Sequence, residues 1–258
     1  GKSITVAHLA SGDLWAGAEV QLYYLAKALD KIPDVKVHVI LLNHGKLELR
    51  LRAAGICVHV LDESRLNTFL LASKLVALLW RIRPNVVHTH RQKENILGSV
   101  ASALVRGKSI RTVHGASEWA FPPWMIHKRI YSLLDRLCGR YLQKKIVAVS
   151  AQLAQSLTHT FPAKTICAIE NGIDLQEITT QSTETIDLPG PKHRTNIALV
   201  GRLVPVKRHD LFLKVARLSS SMNSLSANFY IFGDGPLESE IRSKIEEYGL
   251  TTCMFMMG

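Results

Sequence analysis

GRLVPVK at residues 201–207, followed after one helix-like stretch by IFGDGP at residues 231–236, decides how the chain folds. The order reads strand, Gly-Arg turn, helix, strand, glycine turn, helix. That order makes a parallel sheet, and open α/β sheets bind ligands in the crevice outside the carboxyl ends of their strands. Arg202 can fork onto phosphate oxygens, and Lys207 adds a point charge beside it. Gly233 and Gly235, with Pro236 after them, let backbone approach a ligand without a Cβ in the way. A phosphorylated ligand is expected there.

Working outward, strand-like and helix-like segments alternate almost throughout, the pattern of βαβ units. Strands are expected at 4–10, 35–42, 56–61, 86–90, 110–114, 145–150 and 165–169. Helices are expected at 18–31, 47–54, 66–83, 95–106, 125–143 and 151–160. Residues 175–194 are rich in Thr, Ser, Gln and Pro and read as a linker. The chain therefore divides into an α/β domain at 1–174, a linker at 175–194 and a second α/β region at 195–258. The second region holds about three strands, too few to bury both faces of a sheet well, and is expected to be incomplete.

The 258 residues are 47% hydrophobic, enough for a real core. The net charge of +11 suits anionic partners: phosphorylated substrates, acidic membrane surfaces or nucleic acid. Cys57, Cys138, Cys167 and Cys253 are scattered without zinc-ligand spacing, which argues against a disulfide framework and fits a reducing cytosol. No signal peptide is read at the N-terminus. The longest apolar stretch, 66–82, is too short and too polar to span a bilayer.

The motifs together resemble those of GT-B glycosyltransferases, in the large retaining group called family four. WAGAE at 15–19 resembles that family's first-helix loop, NVVHTH at 85–90 and TVHG at 112–115 two of its strand ends, AVSAQLAQSL at 148–157 a strand and helix, and IENGID at 169–174 its linker entry. GRLVPVK and IFGDGP complete the series in order. Departures are Ala16 where a glycine is usual, Glu170 where proline is usual, and Arg208 where glycine is common. The family's paired glutamates, eight positions apart, lie further along than this chain extends. Glu238 and Glu246 have that separation but sit on the helix after Pro236, as solvated helix-face charges.

The resemblance implies two Rossmann-like domains facing across a cleft, and transfer of a sugar from a UDP-, GDP- or ADP-sugar to an acceptor hydroxyl with retention. Arg202 and Lys207 are expected to hold the donor diphosphate, helped by Gly17, Gly233, Gly235 and Pro236. His114 is expected against the donor sugar as the catalytic residue, and Asp13 and His90 on the acceptor side. The plainer alternatives are ordinary βα turns for Asp13, Gly17, Gly233 and Gly235, a strand-end histidine for His114 and surface cations for Arg202 and Lys207. His8 is read as structural. His88 and His90 are read as pointing to opposite faces of their strand, which argues against joint metal binding, with His88 in the core. No metal and no cofactor beyond the nucleotide-sugar co-substrate is expected.

The acceptor is expected to be a glycan or a lipid-linked molecule, in cell-envelope polysaccharide, lipopolysaccharide or glycolipid synthesis. Trp119, Phe121, Trp124 and Met125 precede a basic helix carrying Lys128, Arg129, Arg136, Arg140, Lys144 and Lys145. Such a combination suits an anionic membrane surface, so a cytoplasmic protein peripheral to the inner face of the membrane is expected. No nucleic-acid motif appears. Rival readings are a non-catalytic scaffold that binds acceptor or membrane, and a basic membrane- or nucleic-acid-binding protein. A dinucleotide-dependent oxidoreductase is weaker, since Gly12 and Gly17 lack G-x-G-x-x-G spacing.

Overall fold

The computed structural model describes residues 3–13, 15–115, 126–175, 179, 187–221 and 226–258. They form two compact units, Gly1–Ile178 and Thr179–Gly258, each with its own parallel sheet. The aromatic cluster at Trp119–Met125 and most of the predicted linker lie outside the described residues.

In the first unit the elements run β1 (Ile4–Ala10), α1 (Gly17–Asp30), β2 (Val35–Leu41), α2 (Lys46–Ala53), β3 (Cys57–Val60), α3 (Thr68–Ile82), β4 (Val86–Thr89), α4 (Gln92–Leu104), β5 (Lys108–Val113), α5 (Ile126–Tyr141), β6 (Gln143–Ala148), α6 (Ala151–Leu157) and β7 (Ile166–Ala168). The seven strands lie in the order β3-β2-β1-β4-β5-β6-β7, all parallel. The order reverses between β1 and β4, and a doubly wound sheet opens its binding crevice at such a reversal.

The alternation along β1 explains both covered faces. Ala10 packs with Val37, Val39, Leu22 and Ala26 under α1 and α2. Ala7 and Leu9 point the other way, against Leu71, Leu75 and Leu79 of α3. Those three leucines recur every fourth residue, the spacing of one helix stripe. Asn67 caps α3 by accepting from the Leu70 N–H at 2.9 Å. The helix closes on Arg83 in the left-handed region, immediately before Pro84.

The helix predicted over 125–143 is shorter than expected, and β6 begins inside it at Gln143. Tertiary contacts decide this. The Gln143 side chain accepts from the Arg111 Nε–H, and Arg111 also pairs with Asp135 of α5 at 2.9 Å. Arg111 and Asp135 are fully buried. Asp135, the acid among the cations of α5, therefore anchors the helix to β5. The opposite side of α5 exposes Ile130, Leu133, Leu134, Leu137 and Tyr141.

The second unit runs β8 (Thr195–Val200), α7 (His209–Ser221), β9 (Ala227–Phe232), α8 (Glu238–Glu247) and β10 (Met254–Met256), with strand order β10-β9-β8. Leu213, Phe229, Ile231, Ile241 and Leu250 form its core on one face. On the other face, the Tyr230 hydroxyl donates to the Pro189 carbonyl at 2.8 Å and the Asn228 amide to Pro191 at 3.0 Å. Residues 189–191, predicted as linker, are thus held by the second sheet.

Candidate functional site

In the first unit the site grows from the strand ends at the reversal. His8 lies on β1, His88 and His90 on and just beyond β4, and His114 just beyond β5. The four rings form a continuous stack. His88 and His90 have centroids 4.4 Å apart, His8 and His88 5.0 Å, and His90 and His114 5.7 Å. His8 Nδ1 lies 3.3 Å from His90 Nε2, and His90 Nδ1 lies 3.4 Å from His114 Nε2. His88 Nε2 meets the Thr112 hydroxyl at 2.8 Å.

This stack corrects the expected division of His88 and His90 between two faces. Residues two apart on a strand share a face, because side-chain direction alternates with period two. His88, His90 and His8 also bring ring nitrogens within 4.8 Å of one another, close enough for one ion to reach all three. His8, read as structural, is the inner member of the same stack.

Burial sets the charge of these rings. It pushes His8 down to about 4, and burial first, then the Arg91 guanidinium, pushes His114 down to about 4. His88 and His90 lie well below the ordinary imidazole range, chiefly through burial and then through their neighbouring rings. At neutral pH the stack is uncharged. Each imidazole can then donate one hydrogen bond and accept one.

A groove of about 1000 Å³ runs beside the stack. His88, His90 and His114 line it, with Val6, Val86, Ile110 and Val147 of the sheet and one side of α1. Residues 169–175 complete its wall, and the Gly172 carbonyl accepts from the Gln21 side chain at 3.1 Å.

The first loop stands close by. Gly12 and Gly45 pack backbone to backbone, since a Cβ on Gly45 would lie 2.1 Å from the Gly12 carbonyl oxygen, and one on Gly12 would lie 2.3 Å from the Asn43 carbonyl oxygen. Among the described residues, nothing lies within 4 Å of where a Cβ on Gly17, the first residue of α1, would be. No described neighbour requires glycine there. A helix start leaves N–H groups without intrahelical partners.

Three residues not assigned from the sequence organise this edge. Arg91, directly after His90, pairs with Glu19 and lies 3.8 Å from Asp13. Glu19 is buried and also accepts from the Ala16 N–H at 3.1 Å. Glu94, buried at the start of α4, accepts from the Ser11 hydroxyl. Glu19 stands three residues after the Ala16 cap, the position of a capping-box glutamate, but Ala16 lacks the side-chain oxygen of that signature, so only half of it is in the sequence. The Arg91–Glu19 pairing joins residues 72 apart and left no local trace.

In the second unit, residues 201–208 and 233–237 interlock. The Leu203 N–H donates to the Asp234 carbonyl at 2.7 Å, and the Leu237 N–H to the Leu203 carbonyl at 3.1 Å. Gly233 has φ 133°, and a Cβ there would sit 2.3 Å from the Gly201 carbonyl oxygen. Only glycine fits. Arg202 and Lys207 are exposed, and neither makes an ion pair among the described residues. The Lys207 stem folds along Gly201, with Cδ 3.6 Å from where a Cβ would be. Arg208 occupies the left-handed region at φ 54° and grips Asp210 with two nitrogens at 3.0 and 3.1 Å. Glu238 pairs with Arg242 on the surface of α8, and Glu246 is exposed.

The sequence profile of Glycosyltransferase Family 4 matches residues 15–177. The chain belongs to Glycosyltransferase Family 4. A poly(ribitol-phosphate) alpha-N-acetylglucosaminyltransferase of Staphylococcus aureus is 33% identical over 93 residues, 35% of this chain and 19% of that enzyme. Anabaena HepE, crystallised with UDP-glucose, superposes with a TM-score of 0.77 at 17% identity, over 99% of this chain and 69% of HepE. TarM of S. aureus superposes with a TM-score of 0.69 at 10% identity, over 100% of this chain and 77% of TarM. At these identities the two structural likenesses establish the fold, α/β of the GT-B kind.

Proposed function

We propose that this family member transfers a sugar from a nucleoside-diphosphate sugar to an acceptor hydroxyl. The observation that carries the reading is the second unit's strand edge. Two exposed cations, Arg202 and Lys207, stand beside a turn in which Gly233 lets two backbones close together. When the anomeric carbon–oxygen bond breaks, its electron pair passes to the diphosphate, whose growing charge these cations stabilise. The new bond forms from the acceptor oxygen to the anomeric carbon, and the acceptor proton moves to the departing phosphate oxygen on the same face. That same-face route retains configuration, as the family resemblance implies. The cations carry the diphosphate charge, so the proposal needs no metal.

We assign His114 to a sugar hydroxyl, as a neutral ring that can accept or donate one hydrogen bond. Asp13 and His90 are assigned to the acceptor side, and Gly17 to close approach by substrate. UDP is the favoured nucleotide because HepE was crystallised with UDP and with UDP-glucose, and TarM with UDP. The S. aureus relative's name points to an envelope polymer as acceptor. The exposed apolar side of α5, with Arg129, Arg136 and Arg140 beside it, supports docking on an anionic membrane. No helix among the described residues is long and apolar enough to cross one.

The test is sugar transfer or slow donor hydrolysis measured across UDP-, GDP- and ADP-sugars. Arg202→Ala and Lys207→Ala should each lower kcat by about 100-fold or more, while shifting stability by less than about 0.5 kcal/mol. Turnover unchanged in both variants would remove the diphosphate assignment. Nucleotide binding without any turnover would favour the scaffold reading.

A further inference from the structure

A second group of metal-ligating side chains lies away from the histidine stack, at the outer edge of the first sheet. His38 is on β2, and Cys57 and His59 are the first and third residues of β3, the edge strand. His38 is the register partner of both Ala7 and Cys57, and Ala7 and His8 alternate along β1. These three side chains therefore lie on the sheet face opposite His8.

The donor atoms converge. His38 Nδ1 is 3.2 Å from His59 Nε2, and Cys57 Sγ is 3.6 Å from the same His59 nitrogen. All three donor atoms lie within 4.8 Å of one another. A tetrahedral zinc ion with ordinary bond lengths holds two imidazole nitrogens about 3.3 Å apart and a nitrogen and a sulfur about 3.6 Å apart. The observed spacings match both edges. Each contact taken singly is also a hydrogen-bond distance; what a single ion would use is the convergence of all three donors within 4.8 Å.

We propose that His38, Cys57 and His59 form a binding site for a zinc-like divalent transition metal, with the fourth position open to solvent. Two imidazoles and one thiolate are a borderline-soft ligand set, suited to zinc rather than to magnesium or calcium. A neutral imidazole ligates through a bare ring nitrogen, so the proton between His38 Nδ1 and His59 Nε2 moves to its ring's other nitrogen on binding. Lys36 acts on His38, and Arg52 and Arg81 act on His59, all opposing a bound cation. The sulfur offsets part of that field, since on binding the Cys57 thiol gives its proton to solvent and ligates as thiolate. Cys57 is exposed, which leaves a path for the ion. The site shares no residue with the proposed transfer chemistry, and a metal here would brace the edge strand.

The experiment is cobalt titration of the untagged, chelator-treated chain, read by absorption. One equivalent of Co²⁺ should produce a thiolate-to-cobalt charge-transfer band, competed away by Zn²⁺. Cys57→Ser should abolish that band, and His59→Gln should weaken binding at least about tenfold, since even outer partners of a metal ligand are worth that much. On the unaltered chain, Zn²⁺ should slow alkylation of Cys57 at least about tenfold, by the same scale, and leave Cys167 unaffected. The absence of the band, its persistence in Cys57→Ser, or Cys57 alkylation indifferent to Zn²⁺ would each overturn the proposal.

Discussion

Both units present functional groups at the carboxyl ends of parallel strands, but with opposite physics. The first unit's edge is an uncharged stack of four imidazoles, with His8, His88 and His90 buried and His114 half-buried, fixed by neighbours on three strands. The second unit's edge is exposed and cationic, and its rigidity comes from backbone contact at Gly233 and Gly235. A buried neutral edge is set before substrate arrives and orients hydroxyl groups by hydrogen bonds. An exposed cationic edge keeps its charge for a ligand and gives up little stability when that charge is removed. Altering the first should be felt in folding, and altering the second in chemistry.

The largest effect should come from the buried support of the first unit. Asp135→Ala strands the Arg111 guanidinium without its carboxylate, and should destabilise by about 3–5 kcal/mol in urea denaturation. A loss under 1 kcal/mol would show that the pair does not anchor α5. Next comes acid. The buried histidines have folded values below the ordinary 6.5, so the unfolded chain takes up protons first as pH falls. Their contribution is intact above pH 6.5 and is lost as pH drops from 6.5 towards about 4. His8 alone accounts for on the order of 3 kcal/mol over that window. Unfolding free energies measured between pH 7.5 and 4.5 should show that decline, and a flat profile would contradict the neutral stack.

The smallest effect belongs to the second edge. Arg208 sits in a left-handed conformation that glycine adopts without penalty. Arg208→Gly relieves about 1 kcal/mol of strain and gives up an exposed ion pair with Asp210 worth less. The net gain should be below about 1 kcal/mol by thermal denaturation. A clear loss would mean that the Arg208–Asp210 grip fixes the loop holding Lys207.

The same contrast explains what the sequence made legible. The second edge is written in contiguous residues: glycines, an arginine and a lysine within two short strings. Its turn chemistry is local, and the departure at Arg208 falls on the one non-glycine residue of that loop with a positive φ. The alternation of strands and helices was equally local, and element ends moved by only a few residues. The first edge joins residues far apart in the chain. His8 and His90 meet across 82 positions and Arg91 and Glu19 across 72, so their stacking and pairing follow from strand order. Asp135 is the one acid in Ile126–Tyr141, and nothing near it in the chain announces Arg111 as its partner. The misplaced facing of His88 and His90 was different in kind, since period-two alternation already put them on one face.

Thermal denaturation of the chain with UDP, GDP and ADP tests the central claim most directly. At about 100-fold its dissociation constant, a bound nucleotide should add about 2.7 kcal/mol of stability. The account predicts that UDP does so selectively, and that the gain falls away in Arg202→Ala and Lys207→Ala. No stabilisation by any nucleotide, or an equal gain in both variants, would contradict it.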